Sequence, residues 1–127
     1  MGFIHLRTAI PGPKSKQLLA LKQQSISPGV PTEIPVFVKE ASNALLTDVD
    51  GNTFIDFAAG VSAINSGHCN SSVVEAIRHQ AQHYIHTCFS IVPYEPYVRL
   101  CEKLNTLTPG SFKKKSVLFN SGAEAIE

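Results

Sequence analysis

The stretch that most constrains this chain is Ser116-Val117-Leu118-Phe119-Asn120-Ser121-Gly122-Ala123-Glu124-Ala125-Ile126-Glu127. It begins as a short apolar, β-prone run that suits a buried strand. It breaks at Asn120-Ser121-Gly122 and resumes with good helix formers. Ser121 and Glu124 stand three apart, the spacing of a capping box that opens a helix at Ser121. A strand feeding a helix through small residues leaves the first backbone N–H groups of that helix unpaired and converging. The helix dipole makes their meeting point attractive to an anion. Ser121, Gly122 and Ala123 are the candidate phosphate cup, and strand–turn–helix is the grammar of an α/β fold.

The bulk properties exclude several other classes. The length of 127 residues suits one domain, and 43% hydrophobic content is ordinary for a globular chain. A net charge of +1, with acids and bases interspersed, favours neither nucleic acid nor an anionic membrane. Lys113-Lys114-Lys115 is the one charge run and reads as a solvated loop. Cys69, Cys88 and Cys101 form no C-x-x-C pair, so the expectation is reduced thiols rather than a disulfide framework or a zinc knuckle. No secretory h-region opens the chain, and no apolar run approaches the ~20 residues that span a bilayer. The expected setting is cytoplasmic.

Taken in order, Thr8-Ala9-Ile10-Pro11-Gly12-Pro13 is irregular, and Lys14 to Gln24 reads as a polar helix. Ser25 to Pro35 holds three prolines and a glycine and reads as an extended arm, of a kind that suits contact with a partner subunit. Three short β-prone runs follow: Val36–Val38, Ala44–Val49 and Thr53–Phe57. Ser42-Asn43 and Asp50-Gly51-Asn52 separate them, which predicts a three-stranded antiparallel meander. Asp48-x-Asp50-Gly51 has a faint likeness to a calcium loop. Its glycine comes too early for an EF-hand, and turn chemistry is the better account. Ala58 to His68 is rich in small residues, which allows close approach of another backbone or a ligand, or simply a tight connector.

Two amphipathic helices come next. Asn70 or Ser72 caps the first, and Val73, Val74, Ile77, Ala81 and Tyr84 give it an apolar stripe running to about Ile85. His79, His83 and His86 share a face while that helix lasts, with Cys88 nearby. No carboxylate joins them and their neighbours are polar, so a solvated or partner-facing surface is expected, and no metal site. The second helix starts after Pro93-Tyr94-Glu95-Pro96, with Tyr97, Leu100, Cys101, Leu104 and Leu107 as its stripe. Thr108-Pro109-Gly110 ends it.

These marks together resemble a known family. Thr8-Ala-Ile-Pro-Gly-Pro, Asp48-Val-Asp-Gly-Asn with Phe54-Ile-Asp-Phe, Asn65-Ser-Gly-His68, His86-Thr-Cys-Phe89, Tyr94-Glu-Pro-Tyr97 and Asn120-Ser-Gly-Ala-Glu-Ala125 are each weak alone. In this order and spacing, from about Arg7 to Glu127, the chain resembles the N-terminal part of class III, fold type I, pyridoxal-phosphate aminotransferases. The 4-aminobutyrate aminotransferases are the most similar group. One departure is Asn70-Ser71 where relatives usually carry His-Pro, and Asn is the better cap.

The resemblance implies a fold and a chemistry. Residues 1–62 would be the N-terminal arm and part of the small domain, a helix plus the meander. Residues 63–127 would begin the large cofactor-binding domain with its first helices and first strand. Ser121, Gly122 and Ala123 would hold the phosphate of pyridoxal 5'-phosphate, and Val61 would lie beside the substrate. The implied reaction moves an amino group from an ω-amino acid such as 4-aminobutyrate to a 2-oxo acid such as 2-oxoglutarate, in a homodimer or a dimer of dimers. Acetylornithine- or ornithine-type aminotransferases and aminomutases share the cup and remain alternatives. The Schiff-base lysine and the other catalytic groups of the family lie downstream of Glu127. Residues 1–127 alone are therefore expected to be inactive, either a remnant or a piece that docks on a full-length subunit.

Overall fold

The computed structural model describes residues 2–127 and places the elements as α1 (Pro13–Ser25), β1 (Val38–Ser42), β2 (Leu45–Asp48), β3 (Thr53–Ile55), α2 (Ala59–Ser62), α3 (Ser71–Ala81), α4 (Glu95–Leu107) and α5 (Gly122–Ile126). The three strands form the expected antiparallel meander in the order β1-β2-β3. Leu46 stands opposite Ala41 on one side and Phe54 on the other. The first strand lies later than the β-prone run Val36–Val38 suggests. Its register is set by the turn at Asn43, whose φ is 50°, and β2 recruits Glu40, Ala41 and Ser42 despite their weak β propensity, with a register irregularity at Lys39. The second turn runs through Asp50 and Gly51, where Gly51 supplies the positive φ of 84° that the hairpin demands.

Within this part the buried centre is polar. Among the described residues no hydrophobic side chain is fully buried, while Ser15, Asp48 and Asn52 are. They belong to one network built on the Asp48–Asn52 turn. Asn52 Oδ1 accepts from the N–H groups of Arg7 (2.7 Å) and Thr8 (2.9 Å), and its Nδ2 donates to Thr8 Oγ1 (2.9 Å) and to Asp48 Oδ2 (2.8 Å). Asp50 caps a helix distant in sequence. Its carboxylate accepts from the N–H groups of Lys14 (2.8 Å) and Ser15 (2.9 Å) and from Ser15 Oγ (2.7 Å). Gly12, the residue before α1, has no side chain to do this, so the turn supplies the missing cap.

The two later helices are amphipathic as expected; α4 has the expected ends and α3 is shorter. Asn70 caps α3, its Oδ1 accepting from the N–H groups of Ser72 (3.1 Å) and Val73 (3.4 Å). The helix stops at Ala81 rather than near Ile85. The N–H groups of both His83 and Tyr84 bond back to Gln80, a turn that takes Tyr84 out of the stripe and sets its ring 5.7 Å from that of Tyr94. Phe89 stacks on Tyr97 at 4.1 Å and meets Tyr94 edge-on at 5.2 Å, so the His86–Phe89 and Tyr94–Tyr97 motifs join as one aromatic cluster.

The run Ser116–Phe119, expected as a buried strand, carries no ladder, and Val117 and Phe119 are exposed. A strand exists only by pairing, and no strand among the described residues lies alongside it. The chain divides into two compact units, one ending at His79 and one starting at Gln80. No helix among the described residues is long and apolar enough to cross a membrane.

Candidate functional site

The local signal at Ser121 is realised. Ser121 has extended angles (φ −144°, ψ 158°) and stands immediately before α5, and its Oγ accepts from the Glu124 N–H at 3.2 Å. Glu124 reaches back, its Oε2 accepting from the Asn120 N–H and from the Ser121 hydroxyl, each at 3.0 Å. This is a reciprocal cap in which the carboxylate serves the residue before the usual one. Among the described residues the N–H groups of Gly122 and Ala123 have no hydrogen-bond partner, and a Cβ on Gly122 would meet nothing within 4 Å.

The approach to the cup is anchored by side chains whose roles the sequence does not advertise. The Leu118 N–H donates to Tyr97 Oη at 3.0 Å, and Ser116 Oγ donates to Asn105 Oδ1 at 2.8 Å. Both partners sit on α4, so that helix orients the segment entering Ser121 in the absence of a ladder. Tyr97 is legible in the sequence only as part of an apolar stripe. Its hydroxyl contact with a residue 21 positions away is a tertiary fact.

Val61 occupies an unusual turn. Ala59, Gly60, Val61 and Ser62 have φ of 48°, 61°, 59° and 63°, so α2 is a short left-handed turn. Left-handed geometry costs roughly 1–2 kcal/mol for each residue bearing a Cβ, and β-branched Val is among the least suited to it. Such strain clusters at functional sites. Val61 is 91% exposed at its crest. The turn is held by Asp56, the residue after β3, whose Oδ1 accepts from the N–H groups of Ala58 and Ala59, both at 2.9 Å. The hydrogen bond from His68, together with those two N–H groups, holds the Asp56 carboxyl below the usual carboxylate range.

The helix that carries His79 ends at Ala81, short of His83 and His86. Among the described residues no group of three His, Cys, Asp or Glu side chains is arranged to hold a metal ion. Cys69, Cys88 and Cys101 are all free thiols.

Two N–H groups at a helix start with no hydrogen bond among the described residues are donors an anionic phosphate needs, and the Ser121 hydroxyl joins them once its one proton turns from Glu124, so the residues present fit a phosphorylated cofactor. The profile of the class-III aminotransferases matches residues 26–127, and the chain belongs to that family, whose members work with pyridoxal phosphate. Among individual relatives, it is 48% identical over 122 residues to the 4-aminobutyrate aminotransferase of Mycobacterium bovis, covering 96% of this chain and 27% of that protein. It is 42% identical to a 5-aminovalerate aminotransferase of Pseudomonas putida, covering 89% of this chain and 27% of that protein. Of solved structures, acetylornithine aminotransferase from Elizabethkingia anophelis superposes with a TM-score of 0.77 at 26% identity, over 88% of this chain and 28% of that one. The chain thus spans about a quarter of the length of these relatives.

Proposed function

We propose that this chain is the N-terminal part of an enzyme that transfers an amino group from an ω-amino acid of the 4-aminobutyrate type to a 2-oxo acid such as 2-oxoglutarate. The observation that carries this reading is the 48% identity to a 4-aminobutyrate aminotransferase over nearly the whole chain. Residues 1–62 are assigned to the arm and small domain, and 63–127 to the start of the large domain, in a cytoplasmic homodimer. Pyridoxal phosphate, when bound, supplies the electron sink for the bond broken beside the amino nitrogen.

The residues of this chain act by binding and orientation. The Gly122 and Ala123 N–H groups and the Ser121 hydroxyl are assigned to the cofactor phosphate. Their pairing is supported by the two N–H groups, which have no hydrogen-bond partner among the described residues. Glu124 holds Ser121 in the extended conformation that points those donors out of the helix end. Val61 is assigned to the substrate side by the resemblance to the family, and its strained, exposed turn supports that assignment. The Schiff-base lysine is placed outside residues 1–127. Lys22 is engaged with Val30 and Thr32, and Lys114 with the Gly110 carbonyl and the Phe112 ring, all structural contacts.

The test uses the full-length chain. Ser121→Ala removes one hydroxyl donor to a charged acceptor, and cofactor affinity should fall about tenfold or more while the protein stays folded. Amino transfer from 4-aminobutyrate to 2-oxoglutarate should be detected in the unaltered protein. Unchanged affinity in S121A would overturn the cup. A marked preference for N-acetylornithine would instead favour the acetylornithine-type reading that the structural likeness supports. Borohydride treatment of residues 1–127 with pyridoxal phosphate should label no single lysine stoichiometrically, and such labelling would sink the placement of the lysine elsewhere.

A further inference from the structure

Four successive residues in the left-handed region do not hold themselves there, and the structure shows what does. Asp56 Oδ1 accepts from the Ala58 and Ala59 N–H groups at the entrance to α2, and Asp56 Oδ2 lies 2.7 Å from His68 Nε2. A carboxylate can only accept, so His68 Nε2 is the donor. Both side chains are largely withdrawn from solvent, at 9% exposure for Asp56 and 16% for His68. His68 is itself fixed: its backbone exchanges two hydrogen bonds with Asn43, at 2.8 and 2.9 Å, beside the β1–β2 turn. A continuous path therefore runs from the sheet through His68 and Asp56 into the turn that carries Val61. The residues between them, Phe57 to Gly67, contain no charged side chain.

We propose that Asp56 and His68 are positioning residues, a carboxylate–imidazole clasp that holds the left-handed turn and so sets where Val61 stands against the amino donor. This rests on the assignment of Val61 to the substrate side. Neither side chain needs to touch substrate. Their effect passes through the turn, and it makes the pair a determinant of donor choice rather than of bond breaking. The two oxygens of one carboxylate divide the work: one satisfies the strained backbone, and the other ties it to the sheet. A neutral side chain of the same shape at position 56 keeps the first contact and weakens the second.

The experiment compares D56A, D56N, H68A, H68Q and V61A in the full-length holoenzyme. It reads amide hydrogen exchange at Ala58 and Ala59, cofactor affinity, and kcat and KM for 4-aminobutyrate and 5-aminovalerate. In D56A and H68A, exchange at those amides should accelerate at least tenfold. The ratio of kcat/KM for the two donors should change at least fivefold through KM, with cofactor affinity unaltered. D56N and H68Q, which keep a hydrogen bond between the two positions and are the milder tests of folding, should recover most of both. Unchanged exchange and an unchanged donor ratio in D56A and H68A overturn the clasp, the more plainly if V61A does shift the ratio. An unaltered ratio in V61A overturns the placement of Val61 and the specificity role with it, while accelerated exchange in D56A still supports the clasp.

Discussion

Asn52 offers the sharpest test of what holds the N-terminal arm. Its side chain is fully buried and makes four hydrogen bonds: two accepted from the Arg7 and Thr8 N–H groups, one donated to the Thr8 hydroxyl and one to the Asp48 carboxylate. Asn52→Ala removes all four. Each neutral bond is worth about 1 kcal/mol net and the bond to the carboxylate about 2. Arg7 is exposed and Thr8 half-buried, so water recovers part of the loss at their N–H groups. The expected destabilisation of the arm is about 3 kcal/mol. Read by hydrogen exchange in the full-length chain, that corresponds to roughly a hundredfold faster exchange at Arg7 and Thr8, with α4 unaffected. Asn52→Asp keeps the acceptor for Arg7 and Thr8 but sets a carboxylate against Asp48, so it should also loosen the arm. Exchange at Arg7 and Thr8 that stays within a factor of about three in N52A would refute the claim that this side chain fastens the arm.

Three further predictions concern Gly67, Gly122 and Asp50. Gly67→Ala places a side chain at a φ of +82° with its Cβ 3.2 Å from the Asn43 Cα. Because backbone cannot yield as a side-chain tip does, the cost should be about 2 kcal/mol in denaturant unfolding. Gly122→Ala, with nothing within 4 Å, should leave the unfolding midpoint unchanged. At Asp50, burial pushes the carboxyl up, but the hydrogen bonds from the Ser15 hydroxyl and from the Lys14 and Ser15 N–H groups outweigh it, and its pKa lies below the ordinary value. A depressed carboxyl stabilises above its unfolded pKa and loses that contribution as pH falls through the folded one. Protection of the Lys14 and Ser15 amides should therefore hold at neutral pH and fall only on acidification below about pH 4. Loss of protection between pH 5 and 7 would contradict the assignment.

How much of this was legible beforehand depended on how far apart the interacting residues stand. The cap at Ser121 needs a partner three residues on, and the spacing to Glu124 announces it. The cap of α3 reduced to a choice between Asn70 and Ser72, which the structure resolves for Asn70. The Asp48–Asn52 segment reads correctly as a turn. Its second task, fastening residues 35 to 45 positions earlier, leaves no periodic trace. The end of α3 misleads for a related reason. Tyr84 continues the stripe in sequence, yet its ring goes to the aromatic cluster and the helix unwinds before it. Val61 shows the limit of residue-type reasoning, since nothing in its β-branched side chain announces a left-handed backbone.

The sequence by itself determined α1, the meander with its two turns, the starts of α3 and α4, the helix start that forms the candidate phosphate cup, and membership of the class-III aminotransferases. These depend on spacing over a few residues, or on the joint order of several motifs. Only the tertiary structure decided that Asp50 caps α1, that Asp56 and His68 grip the Val61 turn, and that Ser116–Phe119 carries no ladder. The physical reason is common to all three. A buried hydrogen bond or a strand pairing needs two groups brought together from distant positions, and a residue's type states what it can bond to, not which partner the fold will deliver.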